Sequence, residues 1–405
     1  MKRRILGIAL VLCMMLSVTG CGEKKHTDKL VLALRSGTYS EVIKSCLVNF
    51  EKEHGITCEV EELSEDDLHS YVLNDSVNRK GSYDLCMVDG SWVSEYIFEG
   101  VLADLGELGY SFDDDIIPAT TSICVQNGNT YLVPYYGNVT VMMYNKEVAA
   151  ELGFDENSFN SLEDIKEFCS RSSQAGHGGF VYRGDTENNI VVDFLPILCA
   201  FGGWVVDENN NPTVNTQEFA DALAFYIELT QTGGALAKDD LIASVEDGNM
   251  VTAVGWPGWY DSADSKGSEY MAFPGKATAD SASYNSNIYG IWTLGIPENS
   301  TNKELACELL TYLMDKDVQK STIPAGGVPC RYSSLNDPEV CAKDPHMPVI
   351  CKALENGIYR PVMQEWPRFY TILGDEMMDI MAGNNSISDG LSIAQDELTA
   401  LMNTK

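Results

Sequence analysis

The stretch LVLALRSGTYSEVIKSCLVNFEKEHGITCEV, residues 30–60, decides the fold class. Residues 30–34 form an unbroken apolar run, which predicts a strand buried on both faces, as in a parallel sheet. Residues 39–52 place apolar side chains at helical spacing and end at His54-Gly55, and residues 56–60 predict a second strand. Strand, helix, strand is the repeating unit of a parallel α/β sheet.

The same alternation continues along the chain. A helix is predicted over residues 66–73 and a third strand over 83–88, which completes one doubly wound lobe. Further elements predict a second lobe of the same class: an extended segment at 131–144, helices at 162–169, 190–201, 219–230 and 304–314, a strand at 250–254, and two closing helices within 369–402. The predicted fold class is therefore α/β, with two doubly wound lobes packed directly against each other.

The first twenty residues predict a signal peptide. Three basic residues at 2–4 precede the apolar run 5–16, and Cys21 follows Gly20. This order resembles a bacterial lipobox, in which the cysteine thiol is joined to a lipid, so residues 21–29 would form a lipid-anchored tether. The predicted location is the extracytoplasmic face of the cell membrane, with the lipid as the only membrane contact. An ordinary signal peptide with an incidental cysteine is the alternative.

Composition excludes several partners. The chain has 405 residues, enough for two domains, and a formal net charge of -33, which disfavours nucleic acid and anionic lipid surfaces.

Most of the ten cysteines after Cys21 lie in apolar runs and are predicted to be small buried residues. The sequence leaves open whether two of Cys330, Cys341 and Cys351 form a disulfide. The scattered histidines show no metal-ligand spacing, and no metal or cofactor is predicted.

Tryptophans follow two of the predicted strands. Asp89-Gly-Ser-Trp92 comes directly after residues 83–88, and Trp256-Pro-Gly-Trp259 comes after residues 250–254. Ligands of open α/β sheets bind outside the carboxyl ends of the strands. An indole can cover the C–H face of a sugar ring while a carboxylate accepts hydrogen bonds from its hydroxyls. These clusters therefore predict a sugar site, although each tryptophan could instead be a core residue.

Two adjacent tyrosines form a third cluster. Tyr135 and Tyr136 lie between Pro134 and Gly137. Neighbouring residues of an extended chain point to opposite sides, so at least one tyrosine is expected to face the cleft.

A calcium-binding loop is considered and rejected at residues 207–218. Six residues occupy places one, three, five, seven, nine and twelve of such a loop: Asp207, Asn209, Asn211, Thr213, Asn215 and Glu218. The sixth place needs glycine for its sharp turn but holds Pro212. The segment is therefore predicted to form a turn and start a helix.

Several segments together resemble one family. They are LVLAL at 30–34, YDLCMVD at 83–89, GVLADL at 100–105, PYYG at 134–137, YNK at 144–146 and LGIP at 294–297. Their order is similar to that of the family 1 extracellular solute-binding proteins, the receptors of ABC importers. The resemblance implies a periplasmic-binding-protein-like pair of lobes, at 30–134 with 294–328 and at 139–290 with 333–405. It places hinge crossings near residues 135–139, 289–294 and 327–333.

The resemblance also implies a site. It places a polar ligand contact at Asp89 and stacking contacts at Trp256 and Trp292. The resemblance offers further ligand contacts at Trp92, Tyr136, Arg331 and Trp366. Tyr135 and Trp259, from the clusters described above, complete the predicted site. Arg331 could equally be a surface arginine paired with a carboxylate. The implied function is a monomeric, non-enzymatic receptor that captures an oligosaccharide between its lobes and delivers it to an ABC permease.

Two other functions stay open. A surface glycan-degrading enzyme would need two carboxylates flanking one bond. The acidic runs at 113–115 and 239–240 are consecutive residues, whose side chains diverge. A receptor for a polyamine or a peptide would suit the acidic surface, and the tryptophans favour a sugar over either.

Overall fold

The computed structural model describes residues 28–259 and 267–403. The predicted signal peptide, Cys21 and most of the predicted tether lie outside these residues. The strands are β1 (Lys29–Arg35), β2 (Thr57–Leu63), β3 (Leu85–Asp89), β4 (Val125–Gln126), β5 (Asn129–Thr130), β6 (Leu132–Tyr136), β7 (Val141–Asn145), β8 (Phe180–Arg183), β9 (Gly234–Leu236), β10 (Thr252–Gly255), β11 (Ser268–Met271), β12 (Asn287–Tyr289), β13 (Trp292–Gly295) and β14 (Gly357–Tyr359).

Helices make up most of the remaining chain. They are α1 (Thr38–His54), α2 (Glu65–Val77), α3 (Val93–Phe98), α4 (Lys146–Glu151), α5 (Leu162–Ala175), α6 (Glu187–Ala200), α7 (Gln217–Thr230), α8 (Lys238–Glu246), α9 (Lys303–Leu313), α10 (Lys316–Thr322), α11 (Tyr332–Leu335), α12 (Pro338–Cys341), α13 (Met347–Glu355), α14 (Trp366–Met381) and α15 (Ile387–Met402). No described helix combines the length and the apolar character needed to cross a bilayer.

The first sheet has the strand order β2-β1-β3-β13-β6. β1 pairs in parallel with β2 and β3, while β13 runs antiparallel between β3 and β6. The apolar run predicted as the first strand is the central part of β1, and α1 ends where Gly55 takes a left-handed conformation at φ 67°. The α/β class predicted from residues 30–60 is confirmed.

The second sheet has the order β11-β7-β10-β8-β9. β8 pairs in parallel with β10 and β9, and β7 is antiparallel to both β10 and β11. A buried cluster lies between this sheet and helices α5, α6, α7, α14 and α15. Gly374 of α14 comes so close to α6 that an added Cβ would lie 2.5 Å from Glu187 Cβ. The two predicted closing helices are confirmed as α14 and α15.

The chain passes between the sheets at several points. β6 ends in the first sheet at Tyr136 and β7 begins in the second at Val141, while β12 leads through residues 290–291 into β13. The chain does not leave the first lobe at residues 327–333, where a crossing was predicted. Arg331 forms a β-bridge with Ile116, and Ser333 N donates to Asp115, both on the first lobe. β14 then pairs with β12 beside the hinge. The predicted lobe ranges stay a prediction, and Ser333 lies against the first lobe rather than at the start of the second.

All ten described cysteines are free, and nine of them are buried. The interpretation of most cysteines as small buried residues is confirmed. A disulfide among Cys330, Cys341 and Cys351, left open by the sequence, does not form. Burial raises the pKa of these thiols, to about 12 for Cys86 in β3 and for Cys169 in α5.

The candidate calcium loop is a hydrogen-bonded turn. Asp207 Oδ1 accepts from the backbone N–H groups of Asn209 and Asn211, each at 2.8 Å. Thr216 caps α7, which begins at Gln217. The Asp207 carboxylate is thus engaged by its own loop, as the predicted turn requires.

Candidate ligand-binding cleft

The first lobe offers one edge of its sheet to a cleft. β1, β3 and β6 end at this edge and antiparallel β13 begins there, because Trp292 lies opposite both Asp89 and Tyr136 in the strand register. Parallel strands therefore bring the segments that follow them to one place, as expected for the binding edge of an α/β sheet.

Aromatic rings cover this edge. The Tyr39 ring centroid lies 4.8 Å from that of Tyr136 and 5.5 Å from that of Trp292. Trp92 meets Trp292 edge to face at 5.6 Å, and His69 lies 5.0 Å from Trp92. Trp92, Tyr136 and Trp292 are buried, while Tyr39 is partly exposed. The rings pack on one another, and of Tyr39, Trp92, Tyr136 and Trp292 only Tyr39 is partly exposed.

The tyrosine hydroxyls of this edge can act as hydrogen-bond donors at neutral pH. Burial raises the pKa of both Tyr39 and Tyr136. Tyr136 Oη is buried and has no hydrogen-bond partner among the described residues. An unpartnered buried hydroxyl is costly, so a group that reaches it gains a favourable partner.

The second lobe contributes the segment after β10. Trp256 is 8% exposed and packs at the hinge, where a Cβ added to Gly290 would lie 2.9 Å from its ring. Trp259 is only half buried, and the guanidinium carbon of Arg183 lies 5.3 Å from its ring centroid. Of the two tryptophans, Trp259 is the one with an accessible ring.

A cavity of about 730 Å³ lies beside the second edge. It is lined by Thr38 of the first lobe, by Gly258, Trp259 and Tyr270 of the second, and for the most part by residues within 320–350, such as Val328 and Met347. The rings of the first edge are not among its lining residues. A Cβ added to Gly258 would lie 3.1 Å from Tyr136 Oη, so the glycine allows the two lobes to approach closely. This volume is within the range of small-molecule sites.

Each of three arginines near the cleft is paired with a carboxylate. Arg360 Nη2 lies 3.1 Å from Asp89 Oδ2, Arg35 Nε lies 4.0 Å from Glu65 Oε2, and Arg183 contacts Asp193. These pairs compensate the three arginines, whereas the cavity lining itself carries Lys320, Glu339, Lys343 and Asp344.

A family model for bacterial extracellular solute-binding proteins matches residues 46–349 of the 405-residue chain. The chain belongs to this family. Its members are solute-binding receptors, so the chain is a receptor and not an enzyme. The resemblance drawn from its sequence segments is confirmed.

Relatives of this solute-binding protein are distant in sequence. A probable amino-acid ABC transporter periplasmic-binding protein of Sinorhizobium fredii is 22% identical over 94% of this chain and 90% of the relative. An arabinooligosaccharide-binding protein of Halalkalibacterium halodurans is 22% identical over 94% of this chain and 83% of its own. A mannitol-binding protein of Pseudomonas aeruginosa is also 22% identical, over 85% of this chain and 86% of that protein.

Solved structures share the fold. A maltose-bound protein of T. maritima superposes with a TM-score of 0.77 at 23% identity, over 92% of this chain and 99% of that one. A ribitol complex of an Agrobacterium radiobacter solute-binding protein has a TM-score of 0.76 at 23% identity, over 92% and 98% of the two chains. At these identities the similarity establishes the fold alone.

The two adjacent tyrosines of the receptor lie in different places, one in the core and one at the cleft. Tyr135 is buried beside the Cys46 thiol in the first lobe, whereas Tyr136 is at the cleft edge against Tyr39. The alternation of side chains along β6 separates them. Tyr135 is therefore a core residue and not part of the candidate site.

Arg331 lies outside the cleft. Its guanidinium is 2% exposed and contacts Asp113, Asp115, the Gln319 side chain and the Met314 carbonyl. The resemblance implied a ligand contact, and the alternative of an ion-paired arginine is the one that the structure supports. Arg331 is buried rather than at the surface.

Trp366 and Asp89 have internal partners. Trp366 is 1% exposed and stacks on Phe369 at 5.6 Å within α14, so it is a core residue of the second lobe. Asp89 is buried, and its carboxylate accepts from Ser91 and Arg360. Asp89 therefore holds the end of β3 to the segment after β14, which leaves its oxygens little capacity for a ligand.

Sequence reasoning missed three residues of the cleft. Tyr39 appeared only as the start of a helix, and Gly258 as a turn residue. Arg183 ends a strand that was not predicted. A signal was available for Arg183, because FVYR at 180–183 precedes a helix and so places the arginine at a carboxyl strand end.

Proposed function

We propose that this protein is a lipid-anchored extracellular receptor that captures an uncharged carbohydrate, in particular an oligosaccharide, and delivers it to an ABC permease. The ligand would occupy the cleft between the Tyr39 and Trp292 edge of the first lobe and Trp259 of the second. Trp92, Tyr136 and Trp256 would complete the aromatic surroundings. Cys21 would carry the lipid, and the receptor would act as a monomer.

One observation carries this proposal: a cavity of about 730 Å³ is lined by the half-buried ring of Trp259 on the second lobe and by Thr38 on the first, the residue next to half-buried Tyr39. Aromatic faces suit the C–H surfaces of sugars, and the unpartnered Tyr136 hydroxyl can bond to a sugar hydroxyl. Relatives that bind arabinooligosaccharides and mannitol agree with this ligand class.

The pairing of the three arginines near the cleft supports a neutral ligand over an anionic one. A charged solute bound in a closed cleft would need an uncompensated opposite charge, because a buried ion without a partner is strongly unfavourable. The three arginines near the cleft instead face Glu65, Asp89 and Asp193.

Two lobes around one cavity also explain how loading could be sensed. Each lobe alone supplies part of the contacts, so a ligand that bridges both favours the closed form. The permease could then distinguish a loaded receptor from an empty one by the relative position of the lobes.

A thermal-shift screen followed by calorimetry tests the ligand class. The chain without its first 21 residues would be incubated with maltose, maltotriose, arabinotriose, mannitol, spermidine, glutamate and a tripeptide. A ligand that binds only the native form raises the melting temperature. We expect a shift from one of the sugars and none from spermidine, glutamate or the tripeptide. A shift confined to a charged solute would overturn the proposal, and turnover of a glycan would favour an enzyme.

The anchor is tested separately. Radiolabelled palmitate should be incorporated into the full chain expressed in a bacterium and should be lost in Cys21→Ser. Release of the unaltered protein into the medium without label would support an ordinary signal peptide.

A further inference from the structure

Arg183 is a buried arginine at the cleft edge of the second lobe. It is the last residue of β8, and its side chain is 11% exposed. The end of β8 lies beside the end of β10, because these strands are parallel neighbours. Neither the sequence motifs nor the proposed ligand contacts account for a buried cation at this point.

Asp193 fixes the arginine in one orientation. Asp193 is fully buried on α6, and Arg183 Nε donates to its two oxygens at 3.1 and 3.3 Å. The Arg183 backbone N–H also donates to Asp193 Oδ2 at 3.0 Å, and Nη2 contacts Oδ1. A planar guanidinium held at several atoms by one carboxylate has little freedom to rotate.

The fixed guanidinium packs against the half-buried ring of Trp259. Its central carbon lies 5.3 Å from the Trp259 ring centroid, within the distance of a cation–π contact. Trp259 ends a single short turn, Pro257–Trp259, that follows β10. Arg183 thus joins a rigid part of the lobe to a ring carried by a short turn.

Arg183 also supports the loop after its own strand. Its Nη1 donates to Asn189 Oδ1 at 3.0 Å, and Asn189 Nδ2 donates to Asp185 at 2.8 Å. This loop and the turn that carries Trp259 leave the same sheet edge, so one buried side chain contacts both.

Other arginines of the chain show that burial and ion pairing do not by themselves create this arrangement. Arg331 is also buried and paired with carboxylates, but it lies away from the cleft. Arg171 lies 4.8 Å from the Phe154 ring centroid, but its side chain is 45% exposed. Among the described residues, only Arg183 combines a buried ion pair with a cation–π contact to a residue lining the cavity.

We propose that Arg183, held by Asp193, is the positioning residue that sets the orientation of the Trp259 ring for stacking on the ligand. This inference rests on the proposed function for the ligand itself, but the orientation of the ring exists without ligand. A buried ion pair contributes little net stability compared with apolar residues of similar size, so stability alone does not account for a charged pair at this edge.

The ring orientation is tested first without ligand. The indole signal of Trp259 is obtained as the difference in fluorescence between the chain and its Trp259→Phe variant, with acrylamide as quencher. The comparison is repeated in Arg183→Met/Asp193→Leu, which replaces the pair by apolar residues so that no unpaired charge is buried. We expect a shifted emission maximum and a higher quenching constant for Trp259 in the apolar variant. Arg183→Lys should fall between, and Arg171→Met, the matched control, should change nothing.

A folded apolar variant with an unchanged Trp259 signal would overturn the inference, whatever the protein binds. Circular dichroism and the melting temperature establish whether that variant is folded. If it is not, Arg183→Lys, which keeps the charge, decides the question by the same signal.

Affinity for maltotriose and arabinotriose provides the second readout. We expect the apolar variant to bind the sugar about 3- to 30-fold more weakly when Trp259 is present, and the same change to have no effect in a Trp259→Ala background. An equal loss in both backgrounds would show that Arg183 does not act through Trp259. If the unaltered chain binds neither sugar, the choice of these sugars fails, while the fluorescence result still decides whether Arg183 orients the ring.

Discussion

The two edges of the cleft use the same kind of residue in different ways. On the first lobe Trp92, Tyr136 and Trp292 are buried and pack on one another, leaving Tyr39 as the accessible ring. On the second lobe Trp259 is half buried and packs against the guanidinium of Arg183. An aromatic residue at a binding edge can therefore belong mainly to the core or mainly to the ligand surface, and its burial decides which.

The largest expected effect is on the stability of the first edge. Trp292→Ala should lower the free energy of unfolding by about 3–5 kcal/mol, because it removes a large side chain that is 4% exposed. Urea denaturation followed by circular dichroism measures this loss. Trp259→Ala, at a half-buried ring, is the matched control and should cost clearly less. Equal losses of unfolding free energy in the two variants would show that Trp292 and Trp259 do not differ in their contribution to the core.

The next effect is on binding at the second edge. Trp259→Ala should weaken sugar binding by about 1–3 kcal/mol, the range of an aromatic contact at a desolvated site, while the protein stays folded. Calorimetry with the sugar selected in the thermal-shift screen measures the change. Unaltered affinity in the folded variant would place the ligand elsewhere.

A smaller effect is expected where the two edges approach each other. A Cβ at residue 258 would lie 3.1 Å from Tyr136 Oη, so Gly258→Ala should weaken binding by about 1 kcal/mol through overpacking. The double variant Gly258→Ala/Tyr136→Phe removes the oxygen and should bind like Tyr136→Phe alone. If the loss persists without the oxygen, the close approach is not its cause.

The smallest effect at neutral pH concerns the buried thiols of the two lobes. Burial raises the pKa of Cys46 to about 11 in the first lobe and of Cys199 to about 12 in the second. The folded state therefore favours the neutral thiol. Its contribution to stability is fully present below the ordinary thiol pKa of about 8.5 and is lost as the pH rises towards 11 to 12.

A thiol reagent measures this protection. At pH 8 the native chain without its first 21 residues should react slowly at its nine buried cysteines and faster at half-buried Cys341. In increasing urea, simultaneous labelling of Cys46 and Cys199 would show that the lobes unfold together. Rapid labelling of Cys199 in the native protein would contradict its burial.

Much of the fold could be predicted because it follows from local patterns. The apolar run that became β1 and the helical spacing of α1 need no long-range information, and the two closing helices are separated where Gly383 takes a positive φ of 76°. The third hinge crossing could not be placed in this way. Arg331 keeps its segment on the first lobe by contacts with Asp113 and Asp115, more than two hundred residues earlier in the chain.

The sequence predicted where a site would lie, but not which residues would line it. The tryptophans after two strands predicted a site at the carboxyl ends of the strands, which is where the candidate cleft lies. Trp366, Tyr135 and Asp89 could not be removed from the list by pattern alone, since each looks like a ligand residue until its burial and partners are known. Arg183 could not be included for the same reason: its contact with Trp259 joins residues 76 positions apart.

The sequence by itself determined the α/β class and the family, and it predicted the sheet edges at which a ligand would bind, because periodicity and strand ends are properties of short segments. Only the tertiary structure decided which rings face the cavity and which arginine supports them. Whether an indole is exposed, or a charge is paired, depends on which distant segments pack around it, and that is settled by the whole fold.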